Sequence, residues 1–273
     1  MQRRELYLDT NGIRMKMVEA GSGFPLVFLH GLGWDHGLWR DAFERYAGRF
    51  RVIAGDTRGH GGTDRPAGPY SIRQFADDWR GALDALEVER ACLVGFSQGG
   101  MISMQLTVDQ PERFPAIVLA STRCRLDSGA KEKRVDRMAI LREQGPEAAA
   151  RSSAELVFSK RFMDENPGYI DSFVAQRIAF PKEPLMAAMG AGQGFDLCSQ
   201  LANYKAPCMV IAGSADVLTT PADVRHVAVC IPGSKFVIVE GAGHMIPVEQ
   251  PAVFYGHLDK FLADHLMPAT AAS

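Results

Sequence analysis

The sequence predicts an α/β protein built on a mostly parallel, doubly wound sheet. Three observations carry that prediction. Short apolar runs recur at residues 26–29, 51–54, 91–94, 117–120, 208–212 and 236–239. They lack polar alternation, as strands buried on both faces of a parallel sheet do. Segments with helical spacing lie between them, and strand–helix alternation belongs to that architecture. Two runs at 5–9 and 13–19 stand apart, joined at Asn11-Gly12. Both turn residues tolerate positive φ, so this pair predicts a hairpin.

The helices follow from caps and stripes. Ser71-Ile72-Arg73-Gln74 reads as a capping box, in which the Ser side chain takes a free N–H and Gln74 reaches back. Behind it Ile72, Phe75, Ala76, Trp79, Leu83 and Leu86 recur on one helical face. Val253, Phe254, His257, Leu258, Phe261 and Leu262 do the same near the end. Residues 125–194 break the rhythm: they show no buried strand and are punctuated by Gly145-Pro146 and Asn166-Pro167-Gly168. This stretch is expected to be a helical lid over one end of the sheet. The chain then divides into a first core part (1–124), the lid (125–194) and a second core part (195–273). Phe158, Phe162, Met163, Met186 and Met189 read mainly as the lid's own core, with an apolar pocket wall as the alternative.

Composition narrows the partners. The chain has 273 residues, 47% hydrophobic and 23% charged, enough to bury a large core without staples. A formal net charge of −2 gives no electrostatic footprint for nucleic acid or an anionic membrane. A small molecule is the expected partner, without a metal or organic cofactor, and a homo-oligomer is compatible with the composition. The five cysteines are widely spaced with no C-x-x-C, so neither a zinc site nor a redox pair is expected. Cys92, Cys208 and Cys230 sit in apolar runs as small hydrophobes. No signal peptide or run long enough to span a bilayer is legible, and the expected location is the cytoplasm. The small, polar tail 268–273 is expected to fray.

The chemistry gathers at strand ends. Gly95-Phe96-Ser97-Gln98-Gly99 lies between an apolar run and a helical pattern beginning at Met101. A nucleophilic Ser at a tight strand-to-helix turn needs small residues two before and two after it. The helix N-terminus also supplies N–H groups for an oxyanion. Of seven histidines, His244 alone follows a strand through a glycine-rich loop, Gly241-Ala242-Gly243. It is the expected base. Asp216, just past the run at 208–212, is the expected orienting acid, and Asp127 is the runner-up. The backbone N–H groups of Leu32, in the His30-Gly31 turn, and of Gln98 are the expected oxyanion donors. The glycine- and charge-rich run from Asp56 to Asp64 lacks a phosphate-loop pattern and reads as a structural turn held by Arg58 and its aspartates.

These motifs together resemble the α/β-hydrolase superfamily: His30-Gly31, Asp56-x-Arg58-Gly59-His60-Gly61-x-x-Asp64, Gly95-Phe96-Ser97-Gln98-Gly99-Gly100, Gly213-x-x-Asp216 and Gly243-His244. The resemblance implies an eight-stranded, mostly parallel sheet flanked by helices, with a helical lid inserted between strands. It also implies a Ser97–His244–Asp216 triad. Haloalkane dehalogenases and epoxide hydrolases place Asp where this chain has Ser97. C–C hydrolases of meta-cleavage products usually carry Trp after the histidine, where this chain has Met245. The pattern is most similar to 3-oxoadipate enol-lactonase-like proteins and small cofactor-free esterases. The expected activity is hydrolysis of an ester or lactone of a small, apolar or carboxylic substrate through an acyl-enzyme. C–C hydrolysis of a vinylogous diketone and ligand binding with little turnover are the alternatives.

Overall fold

The computed structural model describes residues 2–126 and 138–266. The tail 268–273 and the alternative acid Asp127 lie outside these residues. Eight strands form one sheet: β1 (Arg4–Thr10), β2 (Ile13–Ala20), β3 (Pro25–Leu29), β4 (Arg51–Gly55), β5 (Cys92–Phe96), β6 (Ala116–Ala120), β7 (Cys208–Gly213) and β8 (Lys235–Val239). Their spatial order is β1-β2-β4-β3-β5-β6-β7-β8. The β1–β2 and β2–β4 pairs are antiparallel, and every later pairing is parallel. The predicted hairpin closes at Thr10↔Ile13, with Asn11 and Gly12 both at positive φ (44° and 74°).

Both faces of the sheet are covered, which is why β5 and β6 are apolar at every position. On one face, α2 (Ile72–Ala85), α3 (Gln98–Asp109) and α8 (Pro221–Cys230) contribute Phe75, Trp79, Ile102 and Val224. On the other, α1 (Arg40–Tyr46) and α10 (Pro251–His265) contribute Phe43, Tyr46, Phe254 and Leu258. The Ser71 hydroxyl caps α2 by accepting from the Gln74 N–H at 3.0 Å, but the return bond of a full box is absent among the described residues. The full box forms instead on α8, between Thr220 and Asp223. No helix of the described residues is long and apolar enough to cross a membrane.

Between β6 and β7 the described residues hold α4 (Gly145–Val157), α5 (Lys160–Glu165), α6 (Pro167–Ala179) and α7 (Lys182–Gly190). Phe158 stacks on Phe162 and meets Phe173 edge-on, while Phe162 meets Tyr169, so these rings are the insertion's own core. α9 (Ile246–Glu249) precedes α10.

One cysteine expectation is corrected. Cys124, just past β6, and Cys198, just past the insertion, form a disulfide across 74 residues of sequence. A spacing rule sees local pairs, and this pair is made by the return of the chain: the Leu197 N–H donates to the Cys124 carbonyl at 2.9 Å. Disulfides are rare in the cytoplasm, so this pair lends no support to the expected cytoplasmic location.

The Asp56–Asp64 turn is a packed polar unit. Asp56 is buried and accepts from the His36 N–H, the His36 ring Nδ1 and the Gly62 N–H at 2.7–2.8 Å. Burial pushes its carboxyl upward, but these bonds outweigh it and hold Asp56 below the usual carboxylate range. Arg58 donates Nε and Nη2 to the two oxygens of Asp78 on α2, at 2.8 and 2.6 Å, and both residues are buried. Burial lifts Asp78 above the usual range even with Arg58 against it. Removing one partner strands the other, which costs about 3–5 kcal/mol, whereas removing both costs less. In urea denaturation, Arg58→Met is therefore expected to lose about 3–5 kcal/mol near neutral pH and the Arg58→Met/Asp78→Leu double variant distinctly less. The raised Asp78 value also fixes the sign with pH. Its contribution is fully present below the unfolded value of about 3.9 and is lost as pH rises through the folded value, so the single variant's deficit should shrink on acidification.

Candidate active site

Ser97 stands at the end of β5 with φ 53° and ψ −119°, a left-handed strain rare outside glycine. Its neighbours enforce that turn. The Ser97 N–H donates to the Ala120 carbonyl at 2.8 Å, and the Thr122 hydroxyl donates to the Ser97 carbonyl at 2.7 Å. A Cβ on Gly99 would sit 2.6 Å from the His30 carbonyl oxygen, and one on Gly95 would sit 2.7 Å from the Gly100 Cα. Both flanking glycines are thus required by close backbone approach.

His244 lies on the loop after β8. The Ser121 hydroxyl donates to its carbonyl at 2.8 Å, and Glu249 accepts the neighbouring Gly243 N–H at 2.9 Å. Its ring packs on Phe96 at 5.1 Å and is buried. Nδ1–H donates to Asp216 Oδ2 at 2.8 Å, and Nε2 accepts from the Ser97 hydroxyl at 2.9 Å. Asp216, past β7, spends its other oxygen on the N–H groups of Leu218 and Thr219, at 2.9 and 2.8 Å. Three strand ends thus join acid, imidazole and hydroxyl in one chain of hydrogen bonds. That arrangement orients a neutral imidazole to take the hydroxyl proton.

The turn after β3 closes the site's other side. A Cβ on Gly31 would lie 3.0 Å from the Ser97 Cβ, so the turn touches the serine. Leu32 and Gln98 line the same cleft as Ser97 and His244. Neither residue's N–H donates to a protein acceptor among the described residues. Below this turn, His30 donates Nδ1–H to the Gly31 carbonyl at 2.8 Å and accepts the Thr57 N–H on Nε2 at 2.9 Å. Burial lowers His30, and lowers the adjoining His60 to about 3, so both rings are neutral struts.

Further residues complete the cleft, which encloses about 920 Å³ including its open mouth. The Gln98 side chain donates to the Ala188 carbonyl at 2.8 Å, tying α3 to α7. Met189 joins the apolar wall, the one methionine of the lid group to do so. Arg123 and Arg177 also line the cleft, and no carboxylate does among the described residues. Arg123 Nη2 donates to the Leu218 carbonyl at 2.6 Å and faces Asp223 at 3.4 Å. Arg177 donates to the Leu32 carbonyl at 3.2 Å and lies over the rings of Trp34 and Phe173. The sequence signal was present only for Ser121, Thr122 and Arg123, polar residues directly after a fully buried strand.

Comparison with known proteins identifies the fold family. The family model for the α/β-hydrolase fold matches residues 25–251. The chain is 31% identical to 3-oxoadipate enol-lactonase 2 of Acinetobacter baylyi, over 84% of this chain and 85% of that protein. It is 30% identical to a putative carbamate hydrolase, RutD, of Azorhizobium caulinodans, over 86% and 89% of the two chains. Among solved structures it is similar to Est816, described as an N-acyl homoserine lactone degrading enzyme. There the identity is 32%, the TM-score 0.85, and 94% of this chain and all of that one are covered. The enol-lactonase of Burkholderia xenovorans gives 29% and a TM-score of 0.88 with the same coverage. The chain belongs to the α/β-hydrolase fold family.

Proposed function

We propose that this protein is a serine hydrolase that cleaves an ester or lactone of a small, carboxylate-bearing substrate through an acyl-enzyme. The observation that carries the reading is the Asp216–His244–Ser97 hydrogen-bond chain opening into a cleft. In the first half-reaction Ser97 Oγ attacks the carbonyl carbon while His244 Nε2 takes its proton. The N–H groups of Leu32 and Gln98 receive the oxyanion. His244 then gives the proton to the leaving oxygen, the ester bond breaks, and Ser97 carries the acyl group. In the second half-reaction His244 activates water, which attacks the acyl carbon, and Ser97 leaves with the proton.

Two relatives with lactone-directed names support the lactone side of this reading. The carboxylate rests on the two guanidinium groups, Arg123 and Arg177, that line the cleft, whose described lining holds no Asp or Glu. A fluorophosphonate probe should label Ser97 in the intact protein, and a panel of simple esters, lactones and vinylogous diketones should show turnover of the first two. Exclusive turnover of diketones would replace this reading with C–C hydrolysis, and absence of both labelling and turnover would replace it with ligand binding. Hydrogen bonds to charged groups contribute about 1.5–3 kcal/mol, so Arg177→Met should raise KM for a carboxylate-bearing ester about 10- to 100-fold relative to its neutral counterpart. An equal change for both substrates would remove the anion-binding role from Arg177, leaving it as the clasp on Leu32.

A further inference from the structure

A second cluster of reactive side chains lies outside the cleft, at the base of the insertion. Cys124 follows β6 where the chain leaves the sheet, and Cys198 lies where it returns, beside the Arg125↔Asp196 bridge. His226 and Cys230 lie one turn apart on α8, so their side chains share a helix face. The donor atoms of all four residues fall within 4.8 Å of one another. Cys124 Sγ is 3.8 Å from Cys230 Sγ, which is 3.8 Å from His226 Nε2.

We propose that Cys124, Cys198, His226 and Cys230 form a tetrahedral site for a soft divalent cation of the Zn²⁺ class, filled when the Cys124–Cys198 disulfide is reduced. Zn–S bonds of about 2.3 Å place neighbouring ligands about 3.8 Å apart around a tetrahedron, the spacing that two edges of this cluster already show. Three thiolates and an imidazole select zinc over the oxygen-seeking cations magnesium and calcium.

Disulfide and metal exclude each other, because they compete for the same two sulfurs. A phosphine reductant delivers two electrons to the S–S bond and water supplies the two protons, giving two thiols and a phosphine oxide. Metal binding then releases the thiol protons to solvent. Either state ties the two ends of the insertion together, but only the metal state also ties them to α8. The cluster is therefore a redox-dependent anchor of the insertion, separate from the Ser97 chemistry.

The test uses the full chain, reduced with a phosphine and desalted without oxygen, then titrated with Co²⁺ and afterwards with Zn²⁺. One Co²⁺ per chain is expected, with the visible bands of a tetrahedral ion and a thiolate charge-transfer band in the near ultraviolet, all abolished by Zn²⁺. The oxidised chain should show none of them. His226→Ala and Cys230→Ala should each weaken binding by at least the roughly 100-fold that loss of an outer-shell partner can cost, with far-ultraviolet circular dichroism unchanged. The proposal is overturned if the reduced chain gives no tetrahedral cobalt spectrum, or if both variants bind as the parent does. A Cys124–Cys230 disulfide found by peptide mapping without metal uptake would overturn it too, in favour of a thiol-exchange relay.

Discussion

Ser97→Ala is expected to lower turnover of p-nitrophenyl acetate by on the order of 10³-fold or more while leaving the fold intact. The size follows from what one oxygen does. Ser97 Oγ is the atom that bonds to the acyl carbon, and no other hydroxyl is recorded against His244 Nε2 among the described residues. The oxyanion donors and the cleft survive the change, so residual catalysis above water should remain. The fold should survive because the Ser97 backbone, which carries the bonds to Ala120 and Thr122, is untouched. The positive φ at Ser97 is strained for alanine as for serine, so stability should move little. Steady-state kinetics beside a thermal melt check both halves. An unchanged rate in a folded variant would move the nucleophile elsewhere.

The sequence made the fold legible where burial on two faces erased polar alternation. The runs at 91–94 and 117–120 overlap β5 and β6, whose every residue is buried. It made the hairpin legible through Asn11-Gly12, whose positive φ values only a few residues accept. It could not show that β4 lies between β2 and β3, because strand order is fixed by long-range pairing. Ser97, Asp216 and His244 were picked out by strand-end position, and those three meet. The bonds that hold them were not legible. Ser121, Thr122 and Glu249 act through carbonyl and N–H groups more than twenty residues away or across a loop, and no local pattern encodes such bonds. Arg177 comes from the insertion, the part of the chain with the weakest periodicity. The Cys124–Cys198 pair was missed because spacing rules assume neighbours in sequence.

Asp216→Asn separates orientation of the imidazole from its mere presence. Oδ1 of Asp216 accepts two backbone N–H groups, from Leu218 and Thr219, while Oδ2 accepts Nδ1–H of His244. An asparagine must place its carbonyl oxygen where the two N–H donors converge, since its NH2 group there would set donor against donor. The NH2 group then faces His244 Nδ1 and donates to it. Nδ1 becomes the acceptor, so the ring proton moves to Nε2, the nitrogen that faces Ser97 at 2.9 Å. In that tautomer Nε2 cannot take the serine proton. Turnover should fall by about 10⁴-fold, as the same exchange does in trypsin-like triads, with little change in KM. Asp216→Ala should differ in kind. It leaves the Leu218 and Thr219 N–H groups without their acceptor in a buried site, which costs about 1–3 kcal/mol each, so the loop should loosen and stability fall with activity. A folded Asp216→Asn variant with near-parental turnover would show that the two backbone donors, and not the imidazole, are what Asp216 serves.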